Sequence, residues 1–266
     1  MLMDNFIFGR YLPMDSIIHK MNPAAKIFLC FYFVILVFFA NGLLSYSAMS
    51  LFVIALIFLS KSPIKMFFKG IMPLIWIILF TIAIQILFSS GGETIYKIGI
   101  INITTFGIKN AVFLFMRFIL IISLSTILTI TTDPLEISSG ISILLSPLKK
   151  LKFPVETFSL MISIALRFVP TLTDETKAIM DAQRSRGVDF GSGGLVKRVK
   201  SFIPLLIPLF VSAFKHADNL SIAMESRGYR INNRRTHYNN YGWSNFDTLS
   251  LFLAVFISMI IFILRK

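Results

Sequence analysis

Long stretches of this sequence carry no charge, and their spacing lays out the chain. Between Lys26 and Lys61 every residue is uncharged, and Asn41-Gly42 stands near the middle as a strong turn signal. The pattern predicts two helices, 26–41 and 44–60, each close to the ~20 apolar residues that a bilayer core requires. "KSPIKMFFKG" follows with Lys61, Lys65 and Lys69, and an apolar run from Gly70 to about Ser90 predicts a third span. A Gly/Ser/Thr-rich loop with nearly balanced charge leads to a fourth, 108–132, and Thr248 to Leu264 reads as a fifth.

The character changes at "TTDPLE". Asp133 reads as an N-cap, Pro134 as the first helical position and Glu136 as the reciprocal capping partner, so a new helix begins there. From Asp133 to Asn245 there are 15 Lys/Arg and nine Asp/Glu, interleaved with apolar blocks such as "FSLMISIALRFVPTL" and "FIPLLIPLFVSAF". Proline and charge interrupt each block at a length too short to span, which predicts helices on the membrane surface or against another protein at that level. Two long helices are expected, Pro154 to Gly187 with a disturbance at Pro170, and Leu195 to Gly228 with Pro204 and Pro208 near its start. "GSGG" at Gly191 to Gly194 reads as the connector between them.

The expected fold is therefore all-α: a polytopic membrane protein with about five transmembrane helices and a cytoplasmic region of about three helices, two of them long. Its parts are 1–132 with the first four spans, 133–245 as the cytoplasmic helical region, and 246–266 as the last span. Composition agrees, with 56% hydrophobic and 15% charged residues against about 25% charged in soluble domains. The net charge of +13 marks cytoplasmic loops and contact with anionic lipid. No aromatic and basic residues interleave on a nucleic-acid module. With the N-terminus inside, the loop at 61–69 and the region after the fourth span both lie in the cytoplasm. The start of the chain lacks a signal-peptide pattern. "YRINNRRTHYNNYGWS" reads as headgroup contact, with Tyr241 and Trp243 as interface anchors. Arg117 falls inside the fourth span and is expected to snorkel or to make a structural polar contact. The one cysteine, Cys30, excludes an internal disulfide and a multi-cysteine metal site.

Two helix endings repeat. "AQRSRG" and "AMESRG" place Ala182, Ser185, Arg186 and Gly187 in register with Ala223, Ser226, Arg227 and Gly228. Glycine just past a helix takes the left-handed conformation, and a cation in the last turn suits the dipole. The alanine four residues before each arginine leaves a small-residue surface beside a projecting guanidinium. Such an end suits a partner's groove where a carboxylate takes the fork bidentately, and two ends imply two similar grooves.

These motifs, with "ALRFVPTLTDETKAIMDAQRSRG", "SIAMESRGY", "DPLE" and the N-terminal "FGRYLPMDSIIHKMNPAAK", resemble the EcfT family, the transmembrane component of energy-coupling factor transporters. The family carries two X-Arg-X motifs, usually Ala-Arg-Gly, at the ends of two coupling helices; here serine replaces the first alanine. The resemblance implies that Arg186 and Arg227 each dock in one of two ATP-binding cassette ATPase subunits. It also implies that a substrate-binding membrane subunit, the S-component, sits on the coupling helices for vitamin or metal-ion uptake. The chain itself would then be non-catalytic and would need no cofactor.

Other classes fit less well. A multi-spanning enzyme needs paired acids, a metal cluster or an activated nucleophile, and the sequence has no HExxH, GxSxG or P-loop. His19, His216 and His237 are scattered, and the adjacent acids of "DETK" read as a solvated helix face. A self-sufficient secondary transporter would show repeated halves with broken spans, whereas the repeat here is confined to the two helix ends.

Overall fold

The computed structural model describes residues 11–89, 91–98, 101–151, 153–191, 194–230 and 241–264. The start of the chain before Tyr11, His237 with most of the basic tail, and the centre of "GSGG" lie outside the described residues. Helices account for most of the rest: α1 (Pro23–Phe39), α2 (Leu43–Ser60), α3 (Ile64–Ile71), α4 (Ile75–Phe88), α5 (Thr105–Thr131), α6 (Pro134–Leu145), α7 (Val155–Ser185), α8 (Leu195–Ser226) and α9 (Asn245–Ile263). One turn of 3-10 helix, Met72–Leu74, joins α3 to α4 around Pro73, so that 64–88 is helical throughout. The loop expected after the third span contains a small antiparallel pair, β1 (Thr94–Ile98) with β2 (Ile101–Thr104).

Six helical stretches are long and apolar enough to cross a membrane: α2, 64–88, α5, α7, α8 from Val199, and α9. The first predicted span, α1, has 17 residues. The inclusion of α7 and α8 corrects the expectation that their apolar blocks are interrupted. α7 runs unbroken through Pro170 and α8 through Pro204 and Pro208. A proline removes one amide donor and crowds one carbonyl, a local loss that helices of 31 and 32 residues absorb.

By contacts the chain divides into two compact units, Met1–Ser159 with Tyr241–Lys266, and Leu160–Asn240. In the first, α1, α2, α5 and α9 enclose a core around Phe33, Val37, Met49, Val53, Leu124 and Ile257. Phe28, Phe31, Leu51, Phe58, Trp76, Phe80 and Phe252 point outward and are at least half exposed or nearly so. Large apolar side chains facing away from a core are what a lipid-facing surface requires. Arg117 finds a structural contact: its Nε and Nη2 donate to the Tyr46 hydroxyl at 3.2 and 2.8 Å, and its guanidinium lies over the Phe38 ring at 5.3 Å. The Cys30 thiol faces the Leu124 carbonyl at 3.8 Å. Trp243 is exposed and donates its indole N–H to Thr248 Oγ1.

One end of this unit is held by a polar network. Pro23 opens α1 and the Asn22 side chain caps it by accepting from the Ala24 N–H at 2.9 Å. The Asn22 N–H donates to Asp247 Oδ1 at 2.9 Å, and Asp247 Oδ2 accepts from the Ser244 N–H at 2.8 Å to close a capping box on α9. Lys26 is buried in the first turn of α1, where Nζ donates to the Thr131 carbonyl at 2.9 Å and lies 3.7 Å from Glu136. Asp133 caps α6 as expected, accepting from the Leu135 N–H. Glu136 does not complete a capping box there, because its carboxylate turns to Lys26. His19, in the segment before α1, is held by the Ser16 hydroxyl at 2.6 Å and by the Leu12 carbonyl at 3.0 Å. A carbonyl can only accept, so Nε2 carries the proton and Nδ1 receives the hydroxyl. Burial pushes the His19 pKa below its usual value, which suits that neutral ring.

Gly140 of α6 lies directly on α1. A Cβ there would stand 2.8 Å from Ile27 Cδ1, 2.9 Å from the Pro23 carbonyl carbon and 3.0 Å from the Ala24 nitrogen. Two of those atoms are backbone and cannot step aside. Gly140→Ala would stabilise an exposed helix by roughly 0.5–1 kcal/mol, whereas overpacking costs about 1–3 kcal/mol. The expected result is a lower melting temperature in detergent; a rise would mean that helix propensity outweighs the contact.

Candidate partner-docking site

The two repeated endings form the same cap, bond for bond. At the end of α7 the Gly187 N–H donates to the Arg184 carbonyl at 2.9 Å, and the Val188 N–H to the Gln183 carbonyl at 3.0 Å. At the end of α8 the Gly228 N–H donates to the Glu225 carbonyl at 2.9 Å, and the Tyr229 N–H to the Met224 carbonyl at 3.0 Å. This is the Schellman pattern, with the glycine in the left-handed region that a side chain disfavours. Gly187 has φ of +85° and Gly228 of +77°. A Cβ on either would meet nothing within 4 Å. Backbone conformation, not crowding, therefore calls for glycine, and the surface beside each arginine is open.

Ala182, Ser185, Arg186 and Gly187 are all exposed, as are Ala223, Ser226, Arg227 and Gly228. The Ser185 hydroxyl bonds the Asp181 carbonyl at 3.1 Å and the Ser226 hydroxyl the Ala223 carbonyl at 3.0 Å. Each hydroxyl is thus satisfied on its own helix, and a serine in place of alanine leaves no unmet polar group at the tip. Arg184 pairs with Asp181 at 3.2 Å on the helix surface, a contact of small worth. Among the described residues, neither the Arg186 nor the Arg227 guanidinium has a hydrogen-bond or ion-pair partner. Each end therefore offers one free, planar, five-donor cation.

Contacts within the second unit fix how the two tips are spaced. Gln183 Nε2 donates to the Pro204 carbonyl at 3.4 Å. Glu175 takes a hydrogen bond from Ser212 at 2.9 Å and one from His216 Nε2 at 2.6 Å, and the Phe168 ring lies 5.8 Å from His216. Positions fall on α7 as they rise on α8, so the helices run antiparallel. The tip of α7 lies beside the first part of α8. Arg227 lies at the far end of the pair, since α8 rises roughly 35 Å between Pro204 and Arg227. Glu175 is part of "DETK", read from sequence as a solvated face; it is instead the acceptor that clasps α8 to α7. His216 donates to it, a role that spacing along the chain could not indicate.

α8 also presents an apolar stripe. Val199, Ile203, Ile207, Phe210 and Phe214 recur at the i, i+3/i+4 spacing of one helix face, and each is at least half exposed. Val211 beside them is 64% exposed, so the stripe is wider than a coiled-coil seam. Among the described residues, no group of three His, Cys, Asp or Glu side chains is placed to hold a metal ion.

Comparison with known proteins points to one family. Residues 14–238 match the CbiQ family, described as "Cobalt transport protein". A protein of Streptococcus equi subsp. equi named energy-coupling factor transporter transmembrane protein EcfT is 47% identical over 264 residues, covering 99% of this chain and 98% of the relative. The protein of the same name in Lactococcus lactis subsp. cremoris is 48% identical over 98% of both chains. That of Bacillus subtilis is 44% identical over 99% of this chain and all of its own. With its apolar helices and its two matched helix ends, the chain is a multi-pass cell membrane protein and belongs to the EcfT family of energy-coupling factor transporter transmembrane proteins.

Proposed function

We propose that this protein is the non-catalytic coupling subunit of an energy-coupling factor importer. Arg186 and Arg227, with Ala182, Ser185, Gly187, Ala223, Ser226 and Gly228 around them, each dock in one of two ATP-binding cassette subunits on the cytoplasmic side. The observation that carries the reading is the pair of identical caps, each ending in an unpartnered arginine, at opposite ends of one antiparallel helix pair. A single surface could not receive both tips, while two like subunits offer two like grooves. An arginine fork on a carboxylate supplies both charge and orientation. The antiparallel pair of α7 and α8 then acts as the lever. When ATP brings the two subunits together and hydrolysis lets them part, the tips change their separation, and α8 moves with them.

The exposed stripe of α8 suits the second partner, a membrane subunit that binds the vitamin or metal ion. Apolar side chains of that size at the level of a bilayer face either lipid or another membrane helix. The chemistry of ATP hydrolysis and the choice of cargo belong to those partners.

Isolation of this chain from its native membrane in mild detergent tests the assembly. The expected companions are two nucleotide-binding subunits and a small hydrophobic protein, with ATP hydrolysis in the purified complex. Substrate uptake by liposomes holding this chain alone would favour a secondary transporter and overturn the proposal.

A further inference from the structure

Beside Gly70 a groove of about 540 Å³ opens between the helical stretch 64–88 and α5, within the size range of ligand clefts. Gly70 lets α3 approach α5, since a Cβ there would stand 3.0 Å from Thr126 Oγ1. The following 3-10 turn carries the chain into α4 around Pro73. Its lining mixes apolar side chains, Met66, Leu74, Ile121 and Ile130, with the polar Lys69, Ser125 and Thr129. The Thr129 hydroxyl is satisfied by the Ser125 carbonyl at 2.9 Å. Among the described residues the Ser125 hydroxyl has no partner, so it remains a free donor facing the groove.

Lys69 lines this groove, and Lys65 stands one turn before it on the same face of α3. Lys61, Lys65 and Lys69 are exposed, and among the described residues none of the three ammonium groups has an ion-pair or hydrogen-bond partner. The sequence holds no acid from Ser16 to Gly92, and none from Thr94 to Thr132. No carboxylate on any helix flanking the groove can therefore neutralise these cations. An apolar cleft between spanning helices, with the uncompensated Lys69 in its lining and Lys65 a turn away, matches an anionic headgroup with its acyl chain.

We propose that this groove is a binding site for one acidic phospholipid. The phosphate lies against Lys69 and Lys65 with the Ser125 hydroxyl donating to it or to the ester oxygen, and an acyl chain fills the part lined by Leu74 and Ile121. A neutral phospholipid offers the same chain, but its choline cation opposes the lysines.

The test uses the full-length protein in detergent, exchanged into dioleoylphosphatidylglycerol or dioleoylphosphatidylcholine, with retained lipid counted by native mass spectrometry. Wild type is expected to keep one phosphatidylglycerol and no phosphatidylcholine. Lys65→Gln/Lys69→Gln should lower phosphatidylglycerol affinity about thirty-fold, the conversion of about 1 kcal/mol per lysine. Ser125→Phe, which fills the groove and leaves every charge in place, should abolish retention. Lys150→Gln/Lys215→Gln removes the same charge elsewhere and should match wild type. Both groove lysines are exposed, so the fold survives their loss. Equal retention of the two lipids by wild type would overturn the site. So would undiminished phosphatidylglycerol in either groove variant, or an equal loss in the Lys150/Lys215 control.

Discussion

Replacing Arg186 and Arg227 together with alanine is expected to part this protein from its ATPases while leaving its own fold unchanged. Truncating one side of a desolvated, hydrogen-bonded charge pair costs about 2–5 kcal/mol. Each single change should therefore weaken ATPase association by about thirty-fold to a few thousand-fold. The two tips lie at opposite ends of the α7–α8 pair and share no contact, so their losses should add in free energy. The double variant should carry no ATPase through purification and should not transport. Neither guanidinium has a hydrogen-bond or ion-pair partner among the described residues and both residues are exposed, so the melting temperature of the isolated subunit should not move. That separates a docking loss from a folding loss. Arg186→Lys and Arg227→Lys keep the charge but lose the planar fork, and each should fall between wild type and alanine. Full co-purification of the ATPases with the double alanine variant would rule out the docking role.

The two matched helix ends were legible in the sequence because they repeat, and because helix ends announce themselves locally. Glycine after the last turn, proline at the first position and a short polar cap are decided by backbone dihedrals and orphan amides within a few residues. The ends of α7 and α8 could accordingly be placed within two residues, and Asp133 identified as a cap. The rest depended on distance along the chain. Glu136 has the right spacing to close a capping box on α6, yet a buried lysine over a hundred positions earlier competes for its carboxylate and wins. Glu175 looked like one of two adjacent acids on a wet face, and only the antiparallel run of α8 brings Ser212 and His216 to it. Both long helices were read as passing through Pro170, Pro204 and Pro208, and they do; what was over-read was proline and charge as making their apolar stretches too short to span. "SNFD" before the last span was a missed signal, since Ser244 and Asp247 stand at the spacing of a capping box ahead of an apolar run. It starts α9 at Asn245 rather than Thr248.

Asp247 is also where the largest loss of stability should arise. Its side chain is fully buried, and it joins segments that are more than two hundred residues apart in sequence. One oxygen accepts from the Asn22 N–H, just ahead of α1, and the other from the Ser244 N–H at the start of α9. The carboxylate also lies at the positive end of the α9 dipole, which favours an anion there. Asp247→Ala would leave two amide donors without acceptors, each costing about 1–3 kcal/mol when buried. The Ser244 amide is the Asp247 half of the capping box on α9, so the loss comes to about 2–6 kcal/mol, which overlaps the range for breaking a buried charged pair. Asp247→Asn keeps one acceptor oxygen and should lose about half as much. Fluorescence-detected size exclusion after graded heating in detergent reads this directly. Wild type should outlast Asp247→Asn, and Asp247→Ala should be first to leave the monodisperse peak. Equal melting of wild type and Asp247→Ala would mean that α1 and α9 are held together by apolar packing alone, with the polar tie at their ends contributing nothing.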